Sequence, residues 1–205
     1  MNVLIVVDIQ NDFLPGGSLA VKDGNGIIPL VNKLIDHFSY VMATRDWHPT
    51  GHGSFASSYP GKKPGEKIDL NGLPQILWPD HCVQHTRGAE FSAQLDSKKF
   101  KKIFTKGTDP AIDSYSGFYD NGHRKSTGLS ACLKNLKAGE VTIVGLATDY
   151  CVKFTALDAV AEGFKTTLVP DATRAVNLQP DDFDKAVREM ADAGVIITGS
   201  VGILS

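Results

Sequence analysis

The chain has 205 residues, 42% of them hydrophobic, and a formal net charge of −2. That length and apolar content suit one well-cored domain, expected to span residues 1–205. The near-neutral, scattered charge gives no electrostatic footprint for nucleic acid or an anionic membrane as partner.

Val3–Val7 is a continuous apolar run that reads as a buried strand ending at Asp8. After Ile9-Gln10-Asn11-Asp12-Phe13 comes a Pro15-Gly16-Gly17 turn. Between Ile27 and Phe38, apolar residues recur at helical spacing, with Pro29 in the first turn. Tyr40–Thr44 is a second strand, followed by Arg45-Asp46-Trp47-His48-Pro49. Residues 49–88 are rich in Gly, Pro, Ser and His and lack periodicity; so long an irregular segment in a compact domain is functional or disordered, and Phe55, Tyr59 and Trp78 argue for ordered. Lys101–Thr105 reads as a third strand ending at Lys106-Gly107, and the basic cluster Lys98–Lys102 as its solvated edge. A second irregular stretch holds Tyr115-Ser116-Gly117-Phe118-Tyr119-Asp120. Leu129–Leu136 is a short helix, Val141–Leu146 a fourth strand, and Tyr150–Phe164 its helix, with Thr148 or Asp149 as the N-cap. Lys165–Val169 is a fifth strand, Pro180–Ala193 a helix and Val195–Thr198 a sixth strand.

This alternation predicts an α/β, three-layer sandwich: a six-stranded, mainly parallel sheet flanked by helices on both faces. Ligands in such folds bind beyond the carboxyl ends of the strands, where Asp8, Asp46, His48, Lys106 and Cys151 all fall. The three cysteines, Cys82, Cys132 and Cys151, have no paired spacing, which argues for a reducing compartment. With no signal-like leader or bilayer-length apolar run, the expected location is cytoplasmic. Cys82 and Cys132 are expected to be buried.

Cys151 stands just past a strand, in the first turn of a helix. There the helix dipole and free N–H groups favour a thiolate and could hold an oxyanion, although a small buried apolar residue fits the same position. A nucleophilic thiol needs a base. Asp8, desolvated at the end of a central strand, can accept and donate that proton, and Lys106 can hold the carboxylate and bias the field toward thiolate. Taken singly, Asp8 could merely cap a turn and Lys106 could face solvent; their shared location with Cys151 favours function. Asp46 and His48 are two ligand-type residues at i and i+2, pointing the same way in extended backbone. With His81, and with or without His52, they make a donor set of one carboxylate and two or three imidazoles suited to one divalent metal ion: zinc first, then manganese or iron. Surface hydrogen bonding would also account for this spacing. Phe13, Trp78 and Tyr115 could stack against a flat aromatic ligand or simply pack their own loops.

Taken in order, Asp8-Ile9-Gln10-Asn11-Asp12-Phe13, Asp46-Trp47-His48-Pro49, Trp78-Pro79-Asp80-His81-Cys82, Lys106-Gly107, Tyr115-Ser116-Gly117-Phe118 and Gly145-Leu146-Ala147-Thr148-Asp149-Tyr150-Cys151-Val152 resemble the nicotinamidase/pyrazinamidase branch of the isochorismatase-like cysteine hydrolases. The resemblance spans essentially the whole chain. It implies hydrolysis of nicotinamide to nicotinate and ammonia, pyrazinamide as a further substrate, and a place in NAD salvage. It also implies Cys151 as nucleophile, Asp8 as general acid/base and Lys106 as third catalytic member. The oxyanion hole would use the Ala147 and Cys151 N–H groups, beside a cis peptide at Leu146–Ala147. Asp46, His48 and His81 match the metal ligands, and His52 is a ligand position in some members only. Phe13 and Trp78 match the ring-sandwiching positions, with Tyr115 and Leu146 as further substrate contacts. A homo-oligomer is allowed but not specified. The competing readings are a sibling hydrolase acting on another small amide or an ether, a non-catalytic protein binding nicotinamide or metal, and hydrolysis by a metal hydroxide alone.

Overall fold

The computed structural model describes all 205 residues. Its strands are β1 (Asn2–Val7), β2 (Val41–Asp46), β3 (Lys67–Leu70), β4 (Leu73–Ile76), β5 (Lys102–Lys106), β6 (Glu140–Leu146), β7 (Lys165–Arg174) and β8 (Ile196–Ile197). The helices are α1 (Ile28–His37), α2 (Leu129–Asn135), α3 (Lys153–Ala161), α4 (Asp182–Asp192) and α5 (Val201–Leu204). Six strands form one sheet in the order β5-β2-β1-β6-β7-β8, every neighbouring pair parallel. The separate pair β3–β4 is antiparallel.

Alternation along β1 divides the core. Leu4 and Val6 point into one apolar cluster with Val31, Leu34 and Ile35 of α1. Val3, Ile5 and Val7 point into the other, with Leu129 and Leu133 of α2, Ala156 and Ala159 of α3, and Ala186 and Met190 of α4. Both faces are covered, so the strand reads as an unbroken apolar run. No helix is long and apolar enough to cross a membrane.

The expected sheet and its helices are present, with several local differences. β2 and β5 run on to Asp46 and Lys106, which are register partners in the sheet. Their side chains are therefore held by ladder geometry rather than by loops. The fifth strand of the sheet, β7, continues past Pro170: the register with β6 shifts between Ile143 and Gly145, and pairing resumes at Gly145↔Thr173 and Leu146↔Arg174. A bulge of this kind lets a strand tolerate the missing proline N–H. The segment 49–88 contains the hairpin β3–β4, whose turn residues Asn71 and Gly72 both have positive φ (53° and 84°). Asn-Gly is the sequence signal for that turn.

The expected helix Tyr150–Phe164 is instead a π-helical turn, Thr148–Val152, followed by α3. Neither Thr148 nor Asp149 caps it. Thr148 Oγ1 bonds Thr173 Oγ1 at 2.9 Å, and the Asp149 carboxylate accepts the Val176 and Asn177 N–H groups, both at 2.9 Å. Tertiary partners thus take the oxygens that a local cap would use. Cys82 is buried as expected, whereas Cys132 is only half-buried, and all three cysteines are free thiols.

Candidate active site and metal centre

Strand order changes direction between β1 and β6, the point at which open α/β sheets leave a crevice. Asp8 follows β1 with φ of 47°. Its Oδ1 accepts the Thr44 hydroxyl at 2.6 Å, and its Oδ2 lies 2.8 Å from Lys106 Nζ. Lys106 ends β5 and is fully enclosed. Its ammonium also contacts Asp46 Oδ1, donates to the Ser114 carbonyl at 3.0 Å, and reaches Cys151 Sγ at 3.3 Å. Cys151 comes from the π turn after β6, a helix irregularity common at functional sites. Acceptor atoms of Asp8, Asp46 and Cys151 all lie within 4.8 Å of one another. The sequence-predicted triad is assembled around one ammonium group.

Burial raises the Asp8 carboxyl above the ordinary range, opposed by Lys106 and reinforced by Asp46. Burial also pushes the Cys151 thiol well above its ordinary value; Lys106 pulls it down, while Asp8 and Asp46 push it further up. For Lys106 the desolvation cost favours losing the proton, but Asp46, Asp8 and Cys151 together outweigh it and hold the ammonium charged. Burial thus works against the thiolate that a helix N-terminus favours. Burial is the largest influence on the thiol, and a neighbouring base to take its proton matches that direction.

Asp46, His48 and His81, all buried, bring their donor atoms within 4.8 Å of one another. His48 Nδ1 lies 3.0 Å from the Gly107 carbonyl and His81 Nδ1 lies 2.8 Å from that of Pro79. Donation from each Nδ1 assigns the tautomer and leaves both Nε2 lone pairs facing inward. These Nε2 atoms stand 3.7 and 3.8 Å from Asp46 Oδ2, and that of His48 is buried without any hydrogen-bond partner. Lone pairs converging on a carboxylate oxygen suit a cation between them, and backbone carbonyls behind ligating histidines are the usual support. The three residues thus fit a divalent metal.

His52 is not part of that set. Its Nδ1 accepts the Ser54 N–H at 3.1 Å and its Nε2 lies 2.8 Å from the Asp109 carbonyl. Its ring packs against that of His48 (centroids 4.5 Å apart), and it forms a second buried grouping with His48 and Asp113. Gly107 has φ of +64°, and a Cβ there would sit 2.6 Å from His48 Nδ1, so glycine lets the imidazole lie over the strand end.

Phe13, Trp78, Tyr115 and Ala147 join Asp46, His81 and Cys151 in lining a cavity of about 30 Å³. The Tyr115 hydroxyl lies 3.1 Å from both Trp78 Nε1 and Gln75 Nε2, so two expected ring contacts brace each other. Leu146 does not line this cavity: its side chain is buried in the α1-side core, because strand alternation turns it away from the crevice. The Leu146–Ala147 peptide is cis. Sequence reasoning missed Leu19, Asp113, Tyr150 and Val176, which complete the lining. Only Tyr150, adjacent to Cys151, carried any signal. Asp113 accepts the Ser114 N–H at 2.8 Å and Gln75 Nε2 at 3.1 Å, contacts that the linear chain does not display.

A crevice at the switch point of a parallel sheet, with a thiol, an acid/base carboxyl and an ammonium in contact, defines a candidate cysteine hydrolase. Residues 2–200 match the isochorismatase domain, and the chain belongs to that family. It is 46% identical to the nicotinamidase of Escherichia coli over 95% of this chain and 92% of that protein. A solved nicotinamidase/pyrazinamidase of Acinetobacter baumanii is 44% identical, covers 98% of this chain and 97% of its own, and superposes with a TM-score of 0.95. The pyrazinamidase of Pyrococcus horikoshii, solved in complex with zinc, is 39% identical over 97% of this chain and 98% of its own, with a TM-score of 0.79.

Proposed function

We propose that this chain is a nicotinamidase, hydrolysing nicotinamide to nicotinate and ammonia in NAD salvage and accepting pyrazinamide as well. The observation that carries the chemistry is the contact of Lys106 Nζ with Cys151 Sγ (3.3 Å) and Asp8 Oδ2 (2.8 Å), beside the Asp46–His48–His81 group. The substrate class is supported by the nicotinamidase relatives and by a small cavity walled by Phe13, Trp78 and Tyr115.

In this reading Asp8 takes the thiol proton as Cys151 Sγ attacks the carboxamide carbon. Ala147 and Cys151 N–H groups hold the developing oxyanion. Asp8 then delivers the proton to nitrogen as the C–N bond breaks, releasing ammonia and leaving a nicotinoyl thioester on Sγ. Asp8 next deprotonates a water molecule, whose oxygen attacks the thioester carbon; nicotinate departs and the thiol is restored. Lys106 supplies a fixed positive charge beside the thiol and both carboxylates. Asp46, His48 and His81 would hold a divalent ion, proposed to be zinc, which would supply a Lewis-acidic anchor that orients the substrate ring.

The test is ammonia release from nicotinamide by wild type and Cys151→Ala, each before and after chelation. Loss of turnover in Cys151→Ala with metal content intact is expected. Retained turnover in that variant, abolished by chelation, would point to metal-hydroxide hydrolysis instead. An absence of ammonia release at saturating substrate would leave a binding protein.

A further inference from the structure

Three buried or half-buried polar side chains follow one another at alternate positions after β1: Asp8, Gln10 and Asp12. The catalytic proposal uses only the first. Gln10 is fully buried, and its amide is spent on the backbone of Asp46: Oε1 accepts the Asp46 N–H at 2.7 Å, and Nε2 donates to the Asp46 carbonyl at 2.8 Å. Nε2 also donates to the Ala89 carbonyl at 2.9 Å, so every hydrogen-bonding atom of the amide faces main chain. Asp12 Oδ2 accepts the Cys82 N–H at 2.7 Å. The Cys82 carbonyl in turn accepts the His48 N–H at 3.0 Å. Cys82, with φ of 47°, is therefore the peptide that joins His81, its chain neighbour, to His48. A Cβ on Gly88 would collide with the Asp12 carboxyl group, so glycine at that position leaves room for the carboxylate at this junction.

We propose that Gln10 and Asp12 are positioning residues for the metal centre, Gln10 setting Asp46 and Asp12 setting His81 and His48 through the Cys82 peptide. The inference rests on the metal reading above and extends it. The five-residue segment 8–12 then serves two purposes. Its first residue belongs to the thiol chemistry, and the third and fifth fix where the ring-anchoring ion sits relative to that thiol. Neither side chain belongs to the Asp46–His48–His81 group or lines the cavity beside Cys151. Groups that orient ligands from behind change metal affinity by roughly 10–100-fold when removed.

The test titrates zinc, against a competing chelator, into the full-length protein freed of metal, as wild type, Asp12→Ala, Asp12→Asn and Gln10→Met, the last of similar length but without the amide. Iodoacetamide alkylation of Cys151 is followed in the same samples, and folding is checked by circular dichroism. Tenfold or weaker zinc binding is expected in folded Asp12→Ala and Gln10→Met, with alkylation rates within about twofold of wild type. Asp12→Asn, which keeps an acceptor for the Cys82 N–H, recovers most of the affinity. Wild-type zinc affinity in a folded Asp12→Ala or Gln10→Met overturns the assignment for that residue, as does a loss of alkylation that matches the loss of affinity. Should Asp12→Ala not fold, Asp12→Asn decides for that position: zinc binding as weak as in Asp46→Ala overturns the proposed acceptor role. Wild type that binds no zinc refutes the metal reading itself, a result distinct from the others.

Discussion

Within the site a single cation, Lys106, faces two carboxylates and a thiol, and this balance governs where protons sit. Asp8 must be ionised to accept the thiol proton, and burial lifts its pKa above the ordinary value of about 3.9. Activity should accordingly fall on acidification through that raised value, on the neutral side of an ordinary aspartate. Asp8→Asn, nearly isosteric but unable to take a proton, should lower kcat by roughly 10²–10⁴-fold and abolish this acid limb, as read by ammonia release across the acid range. At Gly107 the argument is steric. Gly107→Ala places a methyl group against the His48 imidazole in a positive-φ backbone, so zinc affinity should drop about tenfold or more. Gly199→Ala is the control, because its Cβ would meet nothing nearer than Asp171 Oδ1 at 3.9 Å. At this scale Asp8, Lys106, Cys151, Asp46 and His48 were legible because their chemistry falls at strand ends, and His81 because it stands in the Trp78-Pro79-Asp80-His81-Cys82 run. Asp113 and Val176 were not, since an ordinary loop residue acquires its place only when another segment packs on it.

Among the elements, α2, α3 and the loop around Tyr115–Asp120 meet at Glu162. Its carboxylate accepts Tyr119 Oη and Ser130 Oγ, each at 2.5 Å, and Lys134 Nζ at 2.6 Å. These donors, led by Lys134, depress its pKa from 4.5 to about 2. A depressed carboxylate contributes stability that is fully present above its unfolded pKa and is lost as pH falls through the folded one. Glu162→Gln should therefore unfold at lower urea than wild type at neutral pH, and the gap should close between pH 4.5 and about 2. Wild type and variant differing equally at both ends of that window would reject the linkage. The same scale shows why element boundaries were partly hidden. The β3–β4 hairpin carries an Asn-Gly turn and a Lys67-Ile68-Asp69-Leu70 alternation, but each arm is only four residues long within a Gly- and Pro-rich segment, and β7 hides behind Pro170, which only the bulge opposite β6 accommodates. The π turn looks like the start of an ordinary helix until Asp149 and Thr148 are seen to be engaged elsewhere.

At the level of the whole molecule, the site is drawn from β1, β2, β5, the segment 78–82 and the turn after β6, so anything that fastens these together stabilises the fold. A metal held by Asp46, His48 and His81 would do so by mass action, about 2.7 kcal/mol at a concentration of 100 times Kd. For a domain of this size that predicts a Tm raised by roughly 5–10 °C on adding zinc, a shift that His81→Ala should remove in thermal melts. Read alone, the sequence determined the parallel α/β class, the strands that carry the site, and the chemical types gathered there. Those properties follow from apolar period and from residue chemistry, both of which are local. Tertiary structure alone decided that one ammonium bridges Asp8, Asp46 and Cys151, that both His52 nitrogens are engaged by Ser54 and the Asp109 carbonyl, that Leu146 faces the core, and that burial raises the pKa of the thiol. Each depends on distance and desolvation between segments far apart in the chain, quantities that no local pattern encodes.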